Sequence, residues 1–234
     1  MFLGHWGGRY RHGIDTISHG SLPVDLHERE WSIDWGAVSD ALESLDDEPE
    51  APEPALDPEV AAKRDAALAQ VRKFGDPVQK TKARPVERFD QTLRDEVLRM
   101  GHLMDDALGI GLAATQVGVL HRLFVYRVQA GAPLAALANP VIEWASRDEE
   151  IAEEGCLSLP SVHVDVERPV HILVSAQDEF GEPITVEASG LEARVIQHEL
   201  DHLDGVLILD RTPRDQRKQA MRILREWQER ERSA

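Results

Sequence analysis

The segment from Leu191 to Leu203 constrains the chain more than any other. Its apolar residues Leu191, Val195, Ile196, Leu200 and Leu203 recur at the three- and four-residue steps of one helical face, so any fold must pack that face against a core. The same stretch contains His198-Glu199-Leu200-Asp201-His202. Side chains four residues apart on a helix stand one above the other, a placement that lets two imidazoles grip one metal ion. Glu199, beside the first histidine, is placed to take a proton from water at such an ion. Asp204-Gly205 stops the helix, glycine being free to take the left-handed conformation that a helix end often needs. Two surface histidines on an amphipathic helix would give the same pattern, so a chemical reading requires a third protein ligand.

Three candidates present themselves. The run from His198 to Gly205 matches the start of the metzincin pattern, but Ile208 stands where that pattern has its third histidine, and no histidine follows His202. Glu226 lies 24 residues after His202, an acceptable distance for a thermolysin-like zinc site, although its neighbours Arg225 to Arg230 read as the solvated face of a helix. Cys156 is the only cysteine, which excludes an intramolecular disulfide. As a thiolate it would bind zinc or ferrous iron strongly, with Gly155 allowing close backbone approach and Pro160 fixing the chain's exit. A cysteine flanked by leucines is equally at home in a core. The residues alone leave Cys156 and Glu226 both open.

Charge and hydropathy limit the function classes. A net charge of −17 argues against a nucleic-acid-binding surface. Eleven of those charges lie between Glu30 and Ala62, where there is no Lys or Arg, leaving −6 on the other 201 residues. No run approaches the length of a membrane span, and the N-terminus lacks the apolar core of a secretory signal, so a cytoplasmic protein is expected. His5, His12, His19 and His27 are too widely spaced for one helical chelate and belong to a loosely ordered arm. Trp31 and Trp35 suggest a short amphipathic helix, and Glu43 to Glu59 an extended acidic, proline-rich linker. A helical patch is expected near Val60 to Val71, with a boundary close to Ala67: residues 1–66 form an extension, read as a disordered spacer, and 67–234 the catalytic domain.

Within that domain Phe74-Gly75-Asp76-Pro77 reads as a turn. Asp90 opens a helix whose Leu93, Val97, Met100 and Met104 share a face. Strands are expected at 123–126, 172–174 and 184–186, with 117–126 broadly extended. Thr212-Pro213-Arg214-Asp215 starts a terminal helix with a capping hydroxyl, and Ala220, Ile223, Leu224 and Trp227 form its apolar side. Helices and strands mix without regular alternation, which indicates an α+β fold. Gly109-x-Gly111-x-x-Ala114 imitates a dinucleotide fingerprint, but a helix precedes it where a strand is required. Glycines at a backbone lying against a substrate explain it better.

Taken together, Gly109-Ile110-Gly111-Leu112-Ala113-Ala114-Thr115-Gln116, Glu154-Gly155-Cys156-Leu157-Ser158 and His198-Glu199-Leu200-Asp201-His202 resemble the three ordered motifs of the peptide deformylase family. The likeness runs from about residue 70 to 212. It implies mostly antiparallel strands around a central metal-binding helix, followed by a C-terminal helix. It implies a metal held by Cys156, His198 and His202, usually ferrous iron, though zinc or nickel suits the same ligands. The implied reaction removes the formyl group from the N-terminal methionine of newly made polypeptides. Water activated by the metal attacks with Glu199 as general base, while Gln116 and the N–H of Leu157 stabilise the oxyanion. Gly111, Gln116 and Leu157 would also contact substrate. The implied setting is nascent chains near the ribosome exit and a monomeric enzyme, with neither direct nucleic-acid nor membrane binding. His163 departs from the family, which often has an arginine there.

Overall fold

Four apolar residues in a row, Leu123-Phe124-Val125-Tyr126, form a strand (β2) that is buried on both faces. Phe124 and Tyr126 point into one apolar cluster, Leu123 and Val125 into another. A strand covered on both sides has no need of polar alternation. β2 belongs to a five-stranded sheet with β1 (Gly111–Ala113), β3 (Ala135–Ala145), β6 (His171–Gln177) and β7 (Pro183–Ser189). The order is β1-β2-β3-β6-β7, and every pairing is antiparallel. β4 (Glu149–Cys156) and β5 (Leu159–Pro169) make a separate antiparallel hairpin. The computed structural model describes residues 56–233; the expectations for the histidine-rich arm, the Trp31/Trp35 helix and most of the acidic linker lie outside them.

Helix α1 (Pro58–Leu68) is capped by Asp57, whose side chain accepts from the Glu59 N–H at 2.8 Å. Ala67 lies inside this helix and is buried against α2 (Gln91–Asp106). α2 buries the predicted stripe Leu93, Val97, Met100 and Met104 on one face of the sheet, with Asp90 at its N-cap. α3 (Gly190–Leu203) covers the other face through Ala193, Val195, Ile196, Leu200 and Leu203. The hairpin packs Val162, Val164 and Val166 against α4 (Ile208–Arg211) and α5 (Arg214–Ser233). Among the described residues, no helix is long and apolar enough to cross a membrane.

The α+β architecture, with antiparallel strands about a central helix and a terminal helix, is as expected. Two local expectations need correction. Residues 114–117 form a 3-10 turn ended by Gly118 in the left-handed region, so only 123–126 of the extended stretch is strand. The Thr212 hydroxyl donates to Gln216 Oε1 at 3.1 Å instead of capping the backbone, and α5 begins at Arg214. Gly205 ends α3 as its sequence suggested, at φ +73°. A side chain there would also meet the Lys80 carbonyl oxygen at 2.8 Å.

Candidate active site

α3 is buried on both sides from Ala193 to Leu203. The sequence pattern accounts for its apolar face; its polar face is also buried, because nearly every polar group on it has a partner. Arg194 donates to Glu154 Oε1 at 2.9 Å and to the Val166 carbonyl at 2.9 Å. Gln197 donates to the Pro169 carbonyl at 3.0 Å, and Asp201 accepts from Arg168 at 2.9 Å and from Arg211. The exceptions are informative. His198 Nε2, His202 Nδ1 and both Glu199 carboxylate oxygens are buried with no hydrogen-bond partner among the described residues. A native fold rarely leaves such groups bare without a chemical reason.

The end of β4 brings Cys156 to this face. The register shifts between Gly155 and Cys156, so that Cys156 pairs with Leu159 and Leu157-Ser158 makes a tight connection. Cys156 Sγ lies 3.2 Å from His202 Nε2. The ligand atoms of Cys156, His198 and His202 all fall within 4.8 Å of one another. Burial pushes the Cys156 thiol up, but the neighbouring His202 and His198 hold it well below its ordinary value, so the thiolate is favoured. A thiolate and two imidazoles suit a borderline or soft divalent ion, and the bare Nε2 of His198 is where such an ion would find its nitrogen.

His198 is oriented from behind. Its Nδ1 lies 2.9 Å from Glu154 Oε2, the carboxylate–histidine pairing that fixes ring orientation and tautomer at metal sites. Glu154 is fully buried and receives a two-pronged contact from Arg168, at 2.6 and 2.9 Å. Burial would raise the Glu154 carboxyl; hydrogen bonds from Arg168 and His198 overcome it and hold the group well below the usual carboxylate range. Arg168 also reaches Asp201, joining β4, β5 and α3 in one ionic hub.

Gln116 sits on the 3-10 turn beside the site. Its Oε1 accepts from the Ala113 N–H at 2.9 Å, which directs Nε2 toward Ser158 Oγ at 3.2 Å and Cys156 Sγ at 3.7 Å. Gly111 lies against Glu199: a Cβ there would come within 2.3 Å of Glu199 Oε1. Burial is the main cause holding the Glu199 carboxyl above its ordinary value, against the pull of His198 and His202. Lys73 donates to the Leu157 carbonyl at 3.1 Å, and burial pulls its ammonium down to about 8, partly offset by Cys156 and Glu231.

Residues 68–218 match the family described as polypeptide deformylase. The chain belongs to that family. It is 46% identical over 160 residues to the peptide deformylase of Acidothermus cellulolyticus, covering 68% of this chain and 87% of the relative. Against that of Thermotoga neapolitana the identity is 49% over 144 residues, covering 62% and 87%. A solved peptide deformylase from Synechococcus elongatus, in complex with actinonin, superposes with a TM-score of 0.63 at 44% identity, covering 64% of this chain and 84% of that one. One from Legionella pneumophila gives 0.66 at 34% identity, covering 70% and 97%. Deformylase-family membership makes the chain a metal-dependent hydrolase.

Of the residues singled out from sequence, Cys156, His198, His202, Glu199, Gln116, Gly111 and Leu157 gather in one region. Glu226 is exposed on α5 and is not among the clustered ligands. His163 is exposed on β5 opposite Gly155. Sequence reasoning gave no role to Glu154, although it lies inside the second motif, and it missed Arg168, Lys73 and Gln79, which lie outside all three.

Proposed function

We propose that this chain removes the formyl group from the N-terminal methionine of newly synthesised polypeptides, releasing formate. One observation carries the reading: three separate segments bring a thiolate, two imidazoles, a bare carboxylate and a directed amide to one buried place. Cys156, His198 and His202 would hold the divalent ion. When bound, it supplies Lewis acidity and makes water nucleophilic near neutral pH.

The remaining work falls to the chain's own groups. Glu199, with both oxygens free and its pKa raised by burial, takes the proton of the attacking water and later returns it to the leaving amine. Gln116 Nε2 and the Leu157 N–H donate to the oxygen on which charge develops. β1 is the edge strand of its sheet, so the backbone beside Gly111 can pair with an extended peptide. Close packing of Gly111 on Glu199 favours the smallest acyl group, and acetylated peptides are expected to react far more slowly.

The reading extends to ferrous iron as the resident ion, with zinc or nickel able to use the same donors, which metal analysis of anaerobically prepared protein would test. It also extends to a monomer acting in the cytoplasm on nascent chains near the ribosome exit, with residues 1–66 outside the catalytic unit. The decisive assay compares formate release from a formyl-Met peptide with cleavage of an internal peptide bond. Formate release that disappears in Glu199→Ala, with metal still bound, is expected. Internal cleavage of the same peptide with the formyl group left intact would overturn the proposal.

A further inference from the structure

Gln79 is a buried polar residue that the reaction as described does not use. It lies on a short 3-10 turn, Pro77–Lys80, whose Val78 N–H is capped by the Asp76 side chain. It is 1% exposed. Its Nε2 donates to the Arg72 carbonyl at 2.8 Å and to Ser158 Oγ at 2.9 Å, while its Oε1 is buried with no partner among the described residues. An apolar side chain of similar size would avoid that bare acceptor, so the donor half of the amide needs a reason to be there.

The segment around it braces both motifs that flank the metal ligands. The Arg72 N–H donates to the Gln116 carbonyl at 2.7 Å, and the Phe74 N–H to the Ser158 carbonyl at 2.9 Å. Gln79 adds the link between side chains. A hydroxyl oxygen has two lone pairs and one proton. Ser158 Oγ receives Gln79 Nε2 at 2.9 Å and Gln116 Nε2 at 3.2 Å, so both lone pairs are taken and its proton is confined to the remaining direction. Ser158 then acts toward Gln116 as an acceptor only. Without Gln79 the hydroxyl is free to turn its proton toward Gln116, which favours the flipped amide that presents Oε1 to the site. The N–H of Ala113 opposes that flip from the other end.

We propose that Gln79 is a positioning residue: through the hydroxyl of Ser158, it holds the Gln116 amide with its N–H groups toward the reacting atoms. The catalytic consequence rests on the deformylase reading; the coupling of Gln79, Ser158 and Gln116 does not.

The test is a double-mutant cycle of Gln79→Leu and Ser158→Ala on the diamagnetic zinc-loaded protein, with two measurements. The first is the side-chain amide resonances of Gln116, assigned by their loss in Gln116→Glu. The second is kcat and KM for formate release from a formyl-Met peptide. Gln79→Leu is expected to shift the Gln116 resonances and lower kcat by about tenfold, with KM held within about twofold. In the Ser158→Ala background the same substitution should move neither the resonances nor kcat by more than about twofold. Gln79→Met, nearly isosteric and lacking the donor, replaces Gln79→Leu if that variant does not fold. Equal effects in both backgrounds, or Gln116 resonances unmoved by Gln79→Leu, would overturn the inference. A wild-type protein that releases no formate would refute the proposed function instead, and the resonances alone would still decide the coupling.

Discussion

Replacing Gly111 with alanine should separate catalysis from folding. The backbone at Gly111 is not in the left-handed region, so alanine adds no conformational strain. The added Cβ would sit 2.3 Å from Glu199 Oε1, 2.9 Å from its Cδ and 3.0 Å from its Cγ. Restoring an ordinary contact of about 3.5 Å requires the carboxylate to retreat by about 1 Å. The displaced atoms are the end of a side chain, so the stability cost should fall at the low end of the roughly 1–3 kcal/mol typical of overpacking. The chemical cost is larger. A 1 Å misplacement of a reacting group costs about a hundredfold, or about 2.7 kcal/mol in the barrier. Steady-state formate release should therefore show kcat down about a hundredfold, with bound metal at the wild-type ratio and a melting temperature only slightly lowered. An alanine variant that is fully metallated, folded and within about threefold of wild-type kcat would refute the assignment of Glu199 as the proton acceptor.

Further outcomes follow from the same geometry. Glu154→Ala removes the buried carboxylate shared by Arg168 and Arg194, leaving Arg168 only Asp201 and Arg194 only backbone carbonyls, and should cost about 3–5 kcal/mol in urea unfolding; a loss below about 1 kcal/mol would contradict the hub's structural role. Cys156→Ser should lose the metal, whereas Glu226→Ala should retain it, as read by elemental analysis of dialysed protein. Lys73 gives a pH dependence of definite sign. Its ammonium is lowered from 10.5 to about 8 on folding, so between those values the unfolded chain binds the extra proton and stability rises with pH. Lys73→Met should flatten that rise in denaturation profiles, and an unchanged slope would count against the shift.

The sequence was most legible where a single periodic rule governed a whole element. The stripes of α2 and α3 and the apolar run of β2 satisfy one rule each, and each element lies where expected. The three ligand candidates were readable because their chemistry is concentrated in short motifs. The β4–β5 hairpin was harder. β4 carries Glu149, Glu150, Glu153 and Glu154, and nothing local distinguishes the exposed acids from Glu154, which is fully buried. β5 does alternate Val162, Val164 and Val166 with outward polar residues, a period-two signal in hindsight. Arg168, Arg194 and Gln79 defeat sequence reading for a different reason. Such residues are usually solvated, and only partners on other elements of the fold allow them to be buried.

Arg168 lies on β5, outside the three short motifs, yet it grips the carboxylate behind His198 and the aspartate one position before His202. A homologue could preserve all three signatures letter for letter, lose this guanidinium, and present its imidazoles at altered angles. Fidelity of the inner ring of atoms is thus inherited partly through a residue that motif comparison never scores.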